Sequence, residues 1–140
     1  PYRAPRWSTP RPAEDGVGSL SHNTGDWNVF YLYLHNMDFQ ENRAACPNTC
    51  RLIQSLPRHY SHAFFSALAP GTHVVKHHGP TNKKLRVHLP LLVPQGEDGS
   101  RSEDGGGPCP LRVGNETVFV KEGRVVAFDD SFEHEAWNND

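Results

Sequence analysis

From Ala63 onward the chain is cut into short runs rich in β-branched and aromatic residues, and Gly, Pro, Asn or Asp separate each run from the next. This punctuation constrains the fold more than any other feature. Residues 63–68, 72–76, 85–93, 116–120 and 124–128 are each too brief for a packed helix and read as strands. An earlier run, Trp27-Asn28-Val29-Phe30-Tyr31-Leu32-Tyr33-Leu34, has the same character. One helix start stands out at Pro47-Asn48-Thr49, with Leu52, Ile53 and Leu56 on one face and Pro57 as its stop. Many short strands and one short helix in 140 residues predict a mainly β domain of the double-sheet jelly-roll or cupin-like type.

A chain of this length is one domain long and can bury a modest core. Residues 1–24 read as an extended arm or linker, because Pro1, Pro5, Pro10 and Pro12 with Arg3, Arg6 and Arg11 crowd its first half. Residues 25–140 then form the domain, interrupted at 95–110 by an acidic, Gly-rich loop expected to be mobile. The net charge is −2 with the basic residues scattered, which lacks the electrostatic footprint of a nucleic-acid binder. No apolar run approaches the roughly 20 residues that cross a bilayer. Because the first residue is Pro1, the chain is expected to be a piece of a longer protein, with an upstream targeting or membrane segment left open.

Three cysteines, Cys46, Cys50 and Cys109, are too few for a disulfide scaffold and lack the doubled spacing of a zinc ribbon. A Cys46–Cys50 bridge, or one to Cys109, would suit an oxidising compartment and leave one thiol over. Asn115-Glu116-Thr117 is a glycosylation sequon that points the same way.

Two histidines carry the candidate chemistry. His77 follows the third predicted strand and precedes a Gly-Pro turn; His134 follows the last predicted strand and the acidic turn Asp129-Asp130-Ser131. In a chain with nine histidines, each taken singly is as readily a surface or hydrogen-bonded core residue. Together, fixed at strand ends, they make a rigid half-site for one metal ion, Fe(II) first among the candidates. Gly79 stands where a two-histidine, one-carboxylate triad would place its acid. On the strand that follows, Lys84, Arg86 and His88 share one face and Leu85, Val87 and Leu89 the other. Ordinary sheet surface explains that alternation equally well. Pointing inward, the cations would need anionic partners, and a dicarboxylic co-substrate such as 2-oxoglutarate would supply them.

At these residues the sequence resembles the aspartyl/asparaginyl β-hydroxylase family, nearer its domain-containing paralogues than the principal hydroxylase. The resemblance runs from about Gly25 to Asp140 through Pro70-Gly71-Thr72-His73-Val74, His77-His78-Gly79-Pro80-Thr81-Asn82, Leu85-Arg86-Val87-His88-Leu89 and Phe128-Asp129-Asp130-Ser131-Phe132-Glu133-His134-Glu135. It implies a double-stranded β-helix that binds Fe(II) through His77 and His134 alone, with Gly79 at the missing-carboxylate position. It implies 2-oxoglutarate held by Ser66, Arg86 and His88 beside Trp27, with dioxygen as the oxidant. Lys84, in place of a family arginine, and Arg86 would face the substrate.

The implied activity is β-hydroxylation of Asp or Asn in protein partners, epidermal growth factor-like domains by resemblance. The setting would be the lumen of the endoplasmic reticulum or another secretory compartment, in a membrane-anchored parent. Two departures accompany the match. The family's cysteine pair is more widely spaced than Cys46 and Cys50, and the chain ends soon after His134, before the family's last strand and its co-substrate arginine. These leave a second expectation, a catalytically inactive relative that keeps the barrel as a binding module.

Overall fold

The computed structural model describes residues 22–35, 37–57, 62–94 and 107–140. The chain is mainly β, with strands β1 (His22–Thr24), β2 (Trp27–Leu34), β3 (His62–Leu68), β4 (Thr72–His77), β5 (Arg86–His88), β6 (Pro110–Val113), β7 (Glu116–Phe119), β8 (Val126–Phe128) and β9 (His134–Asn138). Two helices, α1 (Gln40–Ala45) and α2 (Pro47–Ser55), lie between β2 and β3. The structure divides into two compact units, one holding residues 28–67 and the other holding residues 22–27 together with 68–140. Nearly all of the predicted arm at 1–24, and residues 95–106 of the predicted loop, lie outside the described residues.

In the first unit β2 pairs with β3. Val29, Phe30, Tyr31 and Leu32 are all buried, so this strand is covered on both faces, as its unbroken apolar run requires. Phe30, Leu32 and Cys50 form a core completed by Cys46, Ile53 and Phe65, and Phe30 meets Phe65 edge-on at 6.2 Å.

Here the predicted helix is found, but its packed face differs. Leu52 is 70% and Leu56 55% exposed, while Cys50 is buried and Ile53 packs on the core. Helix α1 is an addition to the expected single helix. Its Gln-Glu-Asn-Arg-Ala-Ala sequence has high helix propensity but too few apolar residues to show a period. Instead it is tied to β2 by polar contacts: Asn42 Nδ2 donates to the Tyr31 carbonyl at 2.8 Å and Arg43 Nη1 to that of Leu32 at 3.2 Å.

The second unit contains a five-stranded sheet in the order β1-β4-β9-β6-β7 and a two-stranded sheet of β5 and β8. Every pairing in both is antiparallel. Four strand expectations are corrected here. His22–Thr24, placed in the extended arm, is β1 and pairs with β4. Residues 85–93 shrink to Arg86–His88, because Pro90 and Pro94 have no N–H to give a ladder. Pro110–Val113, assigned to the loop at its first residue, is β6, and β9 follows where no strand was predicted after Phe128. β9 is an interior strand, hydrogen-bonded to β4 on one side and β6 on the other.

The turn before β2 is locked to the start of β4. Gly25 has φ +73° and its missing Cβ would fall 2.2 Å from Thr72 Oγ1, so only glycine passes there. The Thr72 hydroxyl accepts from the Asp26 N–H at 3.0 Å and donates to the Ala69 carbonyl at 2.6 Å.

Candidate metal centre

His77 ends β4 and His134 opens β9, and the two are direct partners across that strand pair. Their rings lie 4.1 Å apart between centroids, tilted by 55°. This neighbourhood depends on a break in the ladder. From Val74 to His77 β4 advances three residues, while its partner moves two, from Ala136 to His134. The extra residue is a β-bulge. Strict alternation would send His77 to the face opposite Val74; the bulge returns it to the face of His134.

Each ring is held in the same way. His77 Nδ1 lies 2.8 Å from the Val75 carbonyl and His134 Nδ1 2.9 Å from the Phe132 carbonyl. A carbonyl can only accept, so Nδ1 carries the proton in both rings and Nε2 keeps its lone pair, the arrangement a metal-binding imidazole needs. Burial lowers the pKa of both histidines below its ordinary value; each backbone hydrogen bond opposes that shift without overcoming it. Both are neutral, ligand-competent imidazoles at pH 7. Phe128 packs edge-on against His134 at 5.2 Å and against His88, also at 5.2 Å. Crowding by these neighbours, with the Arg86 charge next in weight, brings His88 down to about 4.

The residue that sequence reasoning missed is Asp130. It is 1% exposed, and its Oδ2 accepts from Lys84 Nζ at 2.6 Å and from Arg86 Nε and Nη2 at 3.2 and 2.9 Å. Lys84 and Arg86 do point inward, as the alternation of β5 allowed, yet the anion that meets them belongs to the chain itself. Burial works to raise the Asp130 pKa, but the two cations outweigh it and hold the carboxyl below its ordinary value. Its Oδ1 is buried with no hydrogen-bond partner, a costly state unless something else engages it.

Gly79 explains where this carboxylate sits. A Cβ at Gly79 would lie 2.4 Å from Asp130 Cγ, 2.5 Å from Oδ1 and 2.7 Å from Oδ2. Gly79 N–H also donates to the Asp130 carbonyl at 2.5 Å. The space a side chain at position 79 would fill is therefore already taken by the Asp130 carboxyl group. The glycine is the complement of Asp130 rather than a vacancy. Its signal in the sequence was the pairing of a bare Gly79 with an acidic turn just ahead of His134.

The remaining predicted residues are distributed as follows. Trp27 is 5% exposed at the start of β2. Ser66 is at an exposed position of β3, in the first unit. Asn115 is exposed in the turn joining β6 to β7. All three cysteines are free thiols, with Cys50 and Cys109 buried, so none of the anticipated bridges is formed. Among the described residues, no group of three or more His, Cys, Asp or Glu side chains is arranged around a common point. The centre is a histidine pair with one buried carboxylate on its flank.

A sequence model of the aspartyl/asparaginyl β-hydroxylase family matches residues 4–140. The chain is 38% identical to the ornithine lipid ester-linked acyl 2-hydroxylase of Rhizobium tropici over 88% of its length. It is 39% identical to the human aspartyl/asparaginyl β-hydroxylase and 38% identical to the human aspartate β-hydroxylase domain-containing protein 2, each over 82% of its length. It spans 40%, 14% and 29% of those three relatives, respectively. Family match, paired histidines and the glycine facing Asp130 lead to one conclusion: this chain belongs to the aspartyl/asparaginyl β-hydroxylase family.

Proposed function

We propose that this chain is an Fe(II)- and 2-oxoglutarate-dependent hydroxylase domain that acts on the β-carbon of Asp or Asn in protein substrates, with epidermal growth factor-like domains as the first candidates. The observation that carries the reading is the matched pair of imidazoles, each with Nδ1–H given to a backbone carbonyl and Nε2 left to bind. The donor set fits a ferrous ion: two neutral imidazoles on rigid strands beside a buried, partly unsatisfied carboxylate oxygen. Bound iron would supply the activation of dioxygen, and the overall reaction consumes substrate, dioxygen and 2-oxoglutarate to give hydroxylated substrate, succinate and carbon dioxide.

The chain's own residues then have separable tasks. His77 and His134 hold the metal. Asp130 keeps Lys84 and Arg86 in place and presents Oδ1 toward the side of the site where Gly79 carries no side chain. Arg86 and His88, with Ser66 and Trp27 by resemblance, would receive 2-oxoglutarate, and Lys84 with Arg86 the substrate carboxylate. Phe128 packs edge-on against the rings of both His134 and His88. The proposal extends to an anchored parent protein with this domain in a secretory-pathway lumen, where Asn115 would be glycosylated. Among the described residues no helix is long and apolar enough to cross a membrane.

A second reading has one observation in its favour. Lys84 and Arg86, the cations expected to grip small acids, already share Asp130, as they would in an inactive relative that keeps the barrel for binding. The relative from Rhizobium tropici adds a third substrate class, the acyl chain of a lipid. One assay separates them. The chain is supplied with Fe(II), 2-oxoglutarate and air, and offered Asp- and Asn-bearing peptides, an epidermal growth factor-like domain, or an ornithine lipid. Succinate and the gain of one oxygen atom are followed against a His77→Ala control. Turnover on the peptides supports the proposal and turnover on the lipid alone redirects it; no succinate above the control sinks the enzyme reading.

A further inference from the structure

Arg112 reaches β9 from the face of the sheet opposite the histidine pair. On β6 it stands directly across from Glu135, while its neighbour Val113 stands across from His134, so Arg112 and His134 project to opposite sides. All three nitrogens of its guanidinium are engaged. Nε donates to Glu135 Oε1 at 2.5 Å, Nη2 to Glu133 Oε1 at 2.8 Å and Nη1 to the Gly114 carbonyl at 2.5 Å. The planar fork therefore grips the residue before His134 and the residue after it. Glu135, 4% exposed, is also bonded from β4 by His73 Nε2 at 2.9 Å, and His73 stacks on Trp137 with centroids 4.7 Å apart.

The grip on Glu133 matters because of where the sheet stops. The pairings of β9 with β4 and with β6 both end at His134, so Glu133 lies just outside the ladder. There its carbonyl accepts from the Gly114 N–H at 2.8 Å and its carboxylate accepts from Arg112. The carbonyl that holds His134 Nδ1 belongs to the peptide bond joining Phe132 to Glu133, and that peptide is anchored through Glu133. On its other side the Phe132 N–H reaches the Asp129 carbonyl only at 3.4 Å, and the Phe132 side chain is 61% exposed. If Glu133 moves, the Phe132 carbonyl turns with it. The hydrogen bond that keeps the His134 proton on Nδ1 is then lost, and Nε2 takes a share of that proton. His77 depends on a different peptide, that of Val75 within β4.

We infer that Arg112 is a positioning residue: by clamping Glu133 and Glu135 it aims the Phe132 carbonyl at His134 and so selects the tautomer in which His134 Nε2 is free to bind. The use of that nitrogen by a metal rests on the proposed hydroxylase reading, whereas the clamp does not, so the two are measured separately. The tautomer is read on the metal-free chain by long-range ring nitrogen–proton correlation, at a pH well above 6.5 where both rings are neutral. Metal is read by titrating Co(II) and following its visible absorption. Arg112→Met keeps the reach and removes every donor. Glu133→Ala, at a half-exposed position, frees the same peptide while leaving Arg112 on Glu135. Val29→Ala, in the first unit, is the control for general destabilisation.

In the wild type both histidines should carry the proton on Nδ1. Arg112→Met and Glu133→Ala should move His134 toward the Nε2-protonated form, leave His77 unchanged and weaken Co(II) binding about 10-fold, the lower end of the range for losing a ligand's outer hydrogen bond. Val29→Ala should change neither ring. If His134 keeps its Nδ1 proton in both variants, or if His77 changes as much as His134 does, the positioning role is overturned. If the wild type binds Co(II) no better than His77→Ala while the His134 tautomer still depends on Arg112, the clamp stands and the metal reading fails.

Discussion

Replacing Gly79 by alanine tests the link between the two halves of the site most directly. The added Cβ would meet three atoms of the Asp130 carboxyl group at 2.4 to 2.7 Å, inside van der Waals contact. Asp130 has little room to yield, because Lys84 and Arg86 hold its Oδ2 through three hydrogen bonds. Overpacking of this kind costs about 1–3 kcal/mol, and loss of even one charge-assisted bond adds about 1.5 kcal/mol or more. A total of about 2.5–4.5 kcal/mol is expected. With an unfolding entropy of about 2.1 cal/mol/K per residue over 140 residues, that is a fall in Tm of about 9–15 °C. The decisive arrangement is a double-mutant cycle with Asp130→Ala, followed by urea unfolding of the metal-free chain at low temperature. Asp130→Ala alone is expected to cost about 3–5 kcal/mol, since it leaves Lys84 and Arg86 without their counter-charge. In that background Gly79→Ala should cost less than about 0.5 kcal/mol, a coupling of roughly 2–4 kcal/mol. If Gly79→Ala costs the same with and without the Asp130 carboxylate, the reasoning that makes the glycine its complement is refuted.

Other expectations are simpler. In the folded metal-free chain His77, His134 and His88 all have lowered pKa values, His88 to about 4, so the unfolded chain binds more protons. Their contribution is complete above the unfolded value near 6.5 and is lost as pH falls toward 4; melting temperatures measured across that window should decline, and a flat profile would contradict the lowered values of these rings. Thr72→Val keeps the shape at a fully buried position but removes the hydrogen bonds its hydroxyl makes with the Asp26 N–H and the Ala69 carbonyl, and should cost about 1–3 kcal/mol in urea unfolding; a neutral result would mean the Gly25 turn does not depend on that hydroxyl. When the chain is expressed through a secretory pathway, Asn115 should carry a glycan that an endoglycosidase removes, and Asn115→Gln should migrate as the deglycosylated form. Identical mobility of wild type and variant would count against the lumenal setting.

Much of the second unit was legible because its strands are bounded by residues that leave no choice. Gly25 and Pro90 each mark an end that the structure observes, and the period-two reading groups Lys84 with Arg86, which do meet on the buried Asp130 carboxylate. What was not legible had a physical reason in each case. β9 is short and mixes Glu, Trp and Asn, so its alternation is visible only once Trp137 is seen against His73. Helix α1 has almost no apolar face and is held by side-chain bonds to the carbonyls of β2, which no period reveals. Leu52 and Leu56 looked like a helix face, but Cys50 and Ile53 occupy it. At the site, both histidines stood out in sequence, whereas the bulge that makes them neighbours did not; strict alternation puts His77 on the wrong side. Asp130 escaped because an acidic turn reads as solvent-facing until Lys84 and Arg86 are found upon it.

The way both imidazoles are held bears on how such a centre is inherited. Val75 and Phe132 orient the ligand rings through their carbonyl oxygens, groups that every amino acid possesses. Positions 75 and 132 can therefore exchange side chains freely as far as ligand orientation is concerned. Centres that orient their histidines with a carboxylate must keep that acid as well as the ligands. In this chain the requirement falls on backbone path, and therefore on whatever maintains the strand geometry around residues 75 and 132. Drift in the family should be permissive in the side chains at these two positions and strict in the backbone path that aims their carbonyls.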